Sequence, residues 1–164
     1  MGVPAARSET PVTTARDDPS GRETPTEAPG KADAVRHSSR YAWIVTLPEG
    51  AYRWDATANV LNPVAVEDLR GATGTQPFPA AAPLNLVYVA DMSKLTRPST
   101  DPQQMLNVGA DAGFIAENVY LFCASEGLAT VVRASVAKDV LAKSLKLKDT
   151  QVIVLAQTVG YPKK

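Results

Sequence analysis

The first 40 residues contain no Phe, Trp, Tyr, Ile or Leu, and all ten aromatic residues of the 164-residue chain lie from Tyr41 onward. The same segment holds five of the 13 prolines, together with six basic and six acidic side chains. Burial of large apolar groups offsets the cost of ordering the backbone, about 1–2 kcal/mol per residue, and this segment has none to bury. We therefore predict a disordered tail at residues 1–40 and one folded domain at residues 41–164.

The charge balance and the scarcity of Cys and His exclude several classes of function. Seventeen basic and 17 acidic residues give no net charge, and hence no electrostatic footprint for nucleic acid or an anionic membrane. The single cysteine, Cys123, and the single histidine, His37, exclude a disulfide framework, an all-cysteine zinc cluster, a His-rich metal site and a Ser–His or Cys–His pair in the folded part. No stretch approaches the ~20 apolar residues of a membrane span, and the tail lacks the apolar region of a secretory signal. A soluble, cytoplasmic protein is expected.

The pattern after the tail predicts a three-strand meander over residues 41–64. The runs YAWIVTL and AYRWD flank the turn PEG, where Pro48 fixes φ and Gly50 tolerates φ > 0. The run LNLVYVAD, residues 84–91, is short and apolar, as is typical of a buried strand. Between them we expect one helical turn at Glu67–Leu69, followed by RGATGTQPFPAAAP, which has too much Gly and Pro for regular structure.

A long helix is the strongest element predicted in the second half of the chain. Ser99 or Asp101 can cap its start, and Gly127 suits the position that ends it. Apolar residues surround most of its circumference, which predicts a buried helix. The apolar positions that recur three and four apart are Ala112, Ile115, Ala116, Val119, Phe122 and Cys123, with Phe114 and Leu121 on another side.

The remaining elements are short. The run LATVVRA, residues 128–134, is predicted to be extended, and Ser135 is the expected N-cap of the helix VAKDVLAKSLKL. The run TQVIVLAQTVGYP predicts a central strand covered on both faces. The order of strands, buried helix, helix and strand predicts an α+β domain in which helices pack against a mixed β-sheet.

Side chains suited to catalysis are sparse. The chain has no P-loop, G-x-G-x-x-G, G-x-S-x-G or H-E-x-x-H motif. Asp111 and Glu117 are six apart on the long helix and point to different sides, and Cys123 is expected to be a small buried residue. The segment GLATVVRAS instead presents backbone, whose N–H groups suit an electron-rich planar ligand or an anion. An ordinary helix–strand–helix connection is the other interpretation.

Four segments resemble the nitroreductase superfamily, in particular its branch of SagB/thiazoline-oxazoline-oxidase-like dehydrogenases. They are LPEGAYRWDATANVLNPV, DLRGATGTQPFPAAAPLNLVYVADMSKL, GADAGFIAENVYLFCASEGLATVVRAS and LAKSLKLKDTQVIVLAQTVGYPK. The resemblance covers about residues 41–163. It implies a nitroreductase-like fold, a homodimer formed through the long helix, and FMN bound at the dimer interface, with hydride passing through flavin N5.

The resemblance also implies cofactor contacts by position. The residues after the Gly-Leu pair lie along the isoalloxazine ring, largely through backbone, and N–H donors or an Arg there favour reduced flavin. A lysine at the C-terminal end would contact the phosphate. The implied FMN contacts are Gly127, Leu128, Val131, Val132, Arg133, Ala134, Ser135 and Lys163.

Two departures from the family keep a second function open. Family members carry an Arg-x-Ser-x-Arg motif for the FMN phosphate and a Pro-Ser-x-x-Asn-like segment, whereas the tail offers only Arg22, Arg36 and Arg40. The resemblance therefore covers a C-terminal portion, as in a chain truncated at its N-terminus or given a different start site. The leading hypothesis is an FMN-dependent, azoline-dehydrogenase-like oxidoreductase acting on a small molecule or modified peptide, with NAD(P)H as an electron donor. The alternative is a non-catalytic remnant that only dimerises.

Overall fold

The fold is built on one antiparallel sheet. The structure, a computed structural model, describes residues 40–163. In that range, six strands lie in the order β3-β2-β1-β4-β6-β5, and neighbouring strands are antiparallel throughout. The strands are β1 Tyr41–Leu47, β2 Gly50–Asp55, β3 Val60–Ala65, β4 Leu84–Asp91, β5 Ala129–Arg133 and β6 Gln151–Gly160.

The predicted α+β class is confirmed, although the sheet is antiparallel rather than mixed. The helical connection from β4 to β5 leaves those two strands parallel to each other. However, β6 lies between them and runs opposite to both, so no parallel pair forms. Of the predicted tail, only Arg40 belongs to the described residues; the rest, including His37, lies outside them.

Three helices and two 3-10 turns complete the described part of the chain. None of the helices between residues 40 and 163 is both long and apolar enough to cross a bilayer. The elements are the 3-10 turn Arg70–Thr73, α1 Phe78–Ala81, the 3-10 turn Met92–Lys94, α2 Pro102–Ser125 and α3 Lys138–Ser144.

The Gly/Pro-rich segment before β4 is more regular than the sequence predicts. The helical turn expected at Glu67–Leu69 forms instead at Arg70–Thr73, and α1 follows it. Pro79 lies in the first turn of α1. Proline is tolerated there because its missing N–H has no acceptor within the helix, so the proline content did not prevent a helix.

Local turn chemistry determines the N-terminal meander, which is confirmed. β1 and β2 join at a tight turn in which Gly50 adopts a φ of +154°. Asp55 Oδ1 accepts hydrogen bonds from the N–H groups of Thr57 at 2.9 Å and Ala58 at 3.0 Å, which directs the chain from β2 into β3. β4 also has the predicted bounds, Leu84–Asp91.

The main apolar core lies on one face of the sheet. Leu141 of α3 and Leu145, the residue just after this helix, pack there against a cluster that includes Ile44, Val87 and Ala156. Each strand residue in this cluster faces the same side because cross-strand partners share a face of the sheet. We call this side the α3 face.

α2 lies on the opposite face of the sheet and is fixed there by side-chain hydrogen bonds. Tyr41 Oη donates to the Val108 carbonyl at 3.1 Å, and Gln157 Nε2 donates to the Ala116 carbonyl at 3.3 Å. Gln157 Oε1 in turn accepts from Tyr88 Oη at 2.5 Å. These buried polar groups are thus paired within the core.

The predicted full burial of α2 is wrong for the single chain. Phe114 is 70 % exposed and Phe122 is 59 % exposed. A helix lying on one face of a sheet buries only the stripe that faces the sheet, so the other apolar side chains point outward. The buried positions of α2 are Gln104, Val108, Ala112, Ala116 and Cys123.

Candidate functional site

β5 is an edge strand whose start is set by the end of α2. The helix ends in a Schellman turn, in which the Leu128 N–H donates to the Cys123 carbonyl at 2.8 Å and the Gly127 N–H to the Ala124 carbonyl at 3.5 Å. Gly127 has a φ of +66°, which confirms its predicted role in ending the helix. Among the described strands, β5 then pairs only with β6, so no strand of residues 40–163 covers its other side, here called the open side.

The open side of β5 carries backbone donors. The Val132 N–H points away from β6 and donates to Tyr120 Oη of α2 at 2.8 Å. N–H groups alternate sides along a strand, so the Ala134 N–H points the same way. Within the described residues, neither the Ala134 N–H nor the Ser135 N–H donates a hydrogen bond, and both residues are exposed. Both N–H groups are therefore unused by the described residues, and the alternation places the Ala134 N–H on the open side of β5.

Replacing Tyr120 with phenylalanine should loosen this edge. The substitution removes the acceptor of the Val132 N–H, and we expect the free energy of unfolding to fall by about 1 kcal/mol. Urea unfolding of the purified protein measures the change. Tyr161→Phe is the control because the Tyr161 side chain is 80 % exposed. Equal stability of Tyr120→Phe and the wild type would contradict the role of Tyr120.

The Arg133 side chain points away from the open edge, onto the α3 face. Nη1 donates to the Thr73 carbonyl at 2.5 Å, and Nη2 donates to Asn85 Oδ1 at 3.1 Å and Thr158 Oγ1 at 2.7 Å. The Phe78 ring lies 5.5 Å from Arg133 Cζ. The residue is 7 % exposed, and its Nε has no hydrogen-bond partner in the described part of the chain. Burial lowers the pKa of the guanidinium.

The residues that hold Arg133 were not found from the sequence. Thr73, Asn85 and Thr158 lie 60, 48 and 25 positions from Arg133, so no local pattern connects them. One signal was present, because Asn85 interrupts an otherwise apolar strand and is fully buried. Gly74 is also required here, since an added Cβ would collide with Arg133 Nη1.

Ser135 does not cap the following helix, which corrects the prediction. α3 begins at Lys138 and has no side-chain cap. The chain turns tightly before it: the Val136 N–H donates to the Ala134 carbonyl at 3.0 Å, and the Lys138 N–H to the Val136 carbonyl at 2.8 Å. These bonds keep Ser135 outside the helix, while its carbonyl accepts from the Thr75 N–H at 3.3 Å.

The predicted contact residues fall into two groups. Residues 131–135 lie together in the second part of β5 and just after it. Gly127 and Leu128 precede the opposite end of β5, and the exposed Lys163 follows the end of β6 that pairs with the start of β5. At about 3.4 Å per residue, the distance along the strand from that end to Ala134 is about 17 Å. The structure does not bring the two groups together.

The other candidate side chains have structural roles. Cys123 is 1 % exposed, and burial raises the pKa of its thiol, as expected for a small core residue. Asp111 accepts a hydrogen bond from Tyr41 Oη at 3.4 Å, whereas Glu117 is exposed. The two carboxylates therefore do not act as a pair.

A cavity of about 780 Å³ lies elsewhere, between α2, α3 and the start of β6. None of the predicted contact residues lines it. The cavity lining includes Met105, Val108, Lys138, Asp149 and Ile153.

Comparison with known proteins connects this arrangement to one family. The sequence profile of the nitroreductase family matches residues 19–161. A protein of Methanocaldococcus jannaschii described as a nitroreductase is 28 % identical over 116 residues, which are 68 % of this chain and 58 % of that protein.

Solved structures share the fold. A structure from Ralstonia eutropha JMP134, also described as a nitroreductase, has a TM-score of 0.68 at 36 % identity and covers 76 % of this chain and 59 % of the other. A chain of the Escherichia coli microcin synthetase McbBCD complex, solved with truncated pro-MccB17, has a TM-score of 0.67 at 16 % identity, covering 88 % and 59 %. This chain thus spans less than two thirds of the length of these relatives.

Proposed function

The chain belongs to the nitroreductase family, and from this premise we propose that it is an FMN-dependent oxidoreductase. The observation that carries the proposal is the end of β5, where the N–H of Ala134 on the open side and the N–H of Ser135 just after the strand are used by no described residue. The sequence resemblance implies that the isoalloxazine ring lies against these positions. Because the ring presents nitrogen and oxygen acceptors, this set of donors fits its chemistry.

The residues of the chain bind and orient the ring in this proposal. When bound, FMN supplies hydride transfer through its N5 atom. The N–H groups of Ala134 and Ser135 hold the acceptor atoms of the ring, and Val131, 40 % exposed, offers an apolar contact. The donors are held in place in advance, since β5 is paired with β6 and the Thr75 N–H holds the Ser135 carbonyl. A nucleophilic side chain is not needed for this chemistry.

The substrate class rests on the order of the sequence segments. That order resembles the azoline-dehydrogenase-like branch, so we propose a thiazoline or oxazoline in a small molecule or modified peptide as hydride donor. NAD(P)H is the second candidate donor. Each is tested by adding it anaerobically to the FMN-loaded protein and measuring loss of the visible flavin absorbance. The donor that bleaches the flavin fastest identifies the reductive half of the reaction.

We also propose that the chain forms a homodimer through α2. Exposed apolar side chains on this helix include Leu106 at 65 %, Phe114 at 70 % and Leu121 at 61 %. Large contiguous apolar surfaces are rare on monomers and mark interaction sites. The sequence resemblance implies that FMN binds at such an interface, so loss of the dimer is expected to weaken FMN binding as well.

Ala134→Pro tests the backbone donors directly, because proline has no N–H. Losing one hydrogen bond, worth about 1 kcal/mol, is expected to weaken FMN binding about fivefold. The measurement is a titration with FMN followed by flavin fluorescence. Ala137→Pro is the matched control: its φ of −74° suits proline, and its N–H donates to no described residue. Its FMN affinity is expected to stay within about twofold of the wild type.

The outcomes separate the two functions considered. A wild-type protein that is folded but retains no flavin after saturation with FMN would overturn the proposal and favour a non-catalytic dimerising domain. FMN binding that Ala134→Pro does not weaken would exclude the Ala134 N–H as a contact and move the site away from this edge.

A further inference from the structure

Arg133 is a buried cation without a counterion among the described residues. Its guanidinium is held by the Thr73 carbonyl, the side-chain amide of Asn85 and the hydroxyl of Thr158, which are all neutral acceptors. The ion pairs found within residues 40–163 involve other arginines. The positive charge is therefore solvated only by dipoles.

Neutral dipoles compensate a buried charge only in part. Charged groups in protein interiors are normally paired with an opposite charge, because loss of hydration is costly. Here Arg133 Nε has no acceptor among the described residues. The residue that lies against Nη1 is Gly74, which has no side chain that could supply a negative charge. In a medium of low dielectric constant, such a charge creates a positive potential in its surroundings.

Arg133 is adjacent in the sequence to the proposed flavin contacts. Arg133 is the last residue of β5 and immediately precedes Ala134 and Ser135. Its guanidinium turns onto the α3 face, whereas the Ala134 N–H remains available at the open edge and the Ser135 N–H is likewise used by no described residue. The side chain is committed to Thr73 and its other partners, so it is not a direct ligand of the ring.

On the basis of the proposed FMN function, we propose that Arg133 increases the preference of the site for reduced over oxidised FMN without touching the cofactor. A hydride from a reduced nicotinamide or an azoline carries two electrons and one proton to flavin N5. The donor is oxidised, and one additional negative charge remains on the flavin ring. The uncompensated cation of Arg133 favours that more negative state.

Asn85→Asp is the sharpest test because it supplies the missing counterion at nearly constant shape. Asn85 Oδ1 is 3.1 Å from Arg133 Nη2, so a carboxylate at this position pairs with the guanidinium. We expect the ratio of affinities for reduced and oxidised FMN to fall about tenfold, a midpoint potential about 30 mV more negative for a two-electron couple. The substitution also removes the hydrogen bond from Asn85 Nδ2 to the Pro79 carbonyl at 3.0 Å, so thermal unfolding of the FMN-free protein checks that the variant is folded.

Asn62→Asp is the matched control. It makes the same chemical change at an exposed position of β3, the opposite edge strand of the sheet. The sheet separates the two edges by about 24 Å at about 4.8 Å per strand, well beyond the screening length at physiological salt. The potential of this variant should match that of the wild type within error.

Arg133→Lys and Arg133→Gln form a second pair in case Asn85→Asp does not fold. Both lose the forked geometry of the guanidinium, but only Arg133→Gln loses the charge. Arg133→Gln should lower the midpoint potential as Asn85→Asp does, whereas Arg133→Lys should retain most of the wild-type value. A purely structural role would shift both variants equally.

The outcomes distinguish this inference from the function on which it rests. A wild-type protein that binds no FMN overturns the proposed function, and the inference with it. A wild-type protein that binds FMN, with an unchanged potential in Asn85→Asp or equal potentials in the two Arg133 variants, overturns the inference alone.

Discussion

Replacing Phe114 with glutamate is expected to dissociate the proposed α2 dimer into monomers. Phe114 is 70 % exposed on α2, and Leu121, seven residues later on the same side of the helix, is 61 % exposed. In a two-fold symmetric dimer the substitution occurs twice, and each buried, unpaired carboxylate costs several kcal/mol. A total of about 4 kcal/mol would raise the dimer dissociation constant about a thousandfold. Sedimentation equilibrium or light scattering measures the mass directly.

The control for this prediction is an exposed apolar residue outside α2. Val66 follows β3 and is 92 % exposed, so Val66→Glu introduces the same charge without touching the helix. It should leave the dimer intact. A wild-type protein that sediments as a monomer, or a Phe114→Glu variant that remains a dimer, would show that the exposed side of α2 is not the interface.

Sequence patterns located most of the sheet because the relevant signals are local. The turn after β1 depends on Pro48 and Gly50, and the bounds of β4 follow from one largely apolar run bounded by Pro83 and the turn that begins at Asp91. Such signals act over a few residues and survive in any tertiary context. The strand directions were harder to predict, because the insertion of β6 between β4 and β5 depends on contacts between distant segments.

Two predictions were wrong for different reasons: that α2 is buried all round, and that the Gly/Pro-rich segment before β4 has no regular structure. Apolar residues around α2 indicate that the helix is covered, but cannot say whether its own chain or a partner covers it. The second error arose because the Gly and Pro content of the segment predicts the absence of regular structure, although proline, here Pro79, is compatible with the first turn of a helix. Ser135 was chosen as a cap for its residue type, while the backbone turn that excludes it from α3 has no sequence signature.

The candidate site was predictable only as far as it consists of backbone. The extended segment after Gly127 was identified from its small and β-branched residues, and the open side of β5 agrees with that interpretation. The environment of Arg133 was not predictable, because its acceptors come from three separate segments. A sequence that suggests an arginine near a flavin cannot show whether the guanidinium faces the ligand or the core.

Gly50→Ala should cause a large loss of stability. Gly50 is buried at the start of β2 with a φ of +154°, and an added Cβ would collide with the Ala65 carbonyl oxygen of β3. Neither strand can easily retreat, because Ala51 is paired with Ala65 next to a register shift and is itself fully buried. Overpacking and a φ that L-residues avoid each cost about 1–3 kcal/mol.

The expected result is a loss of about 3 kcal/mol in the free energy of unfolding, or at least about 10 °C in melting temperature for a domain of this size. Thermal and urea unfolding measure both quantities. Gly71→Ala is the matched control, since an added Cβ there would lie 3.6 Å from Ala80 Cβ, an ordinary van der Waals distance. It should change stability by less than about 1 kcal/mol. Equal melting temperatures for the two variants would mean that the Gly50 turn is not held rigidly by β3. The meander would then be a separately unfolding unit, and its variants would report nothing about the stability of the β4–β6–β5 region that carries the candidate site.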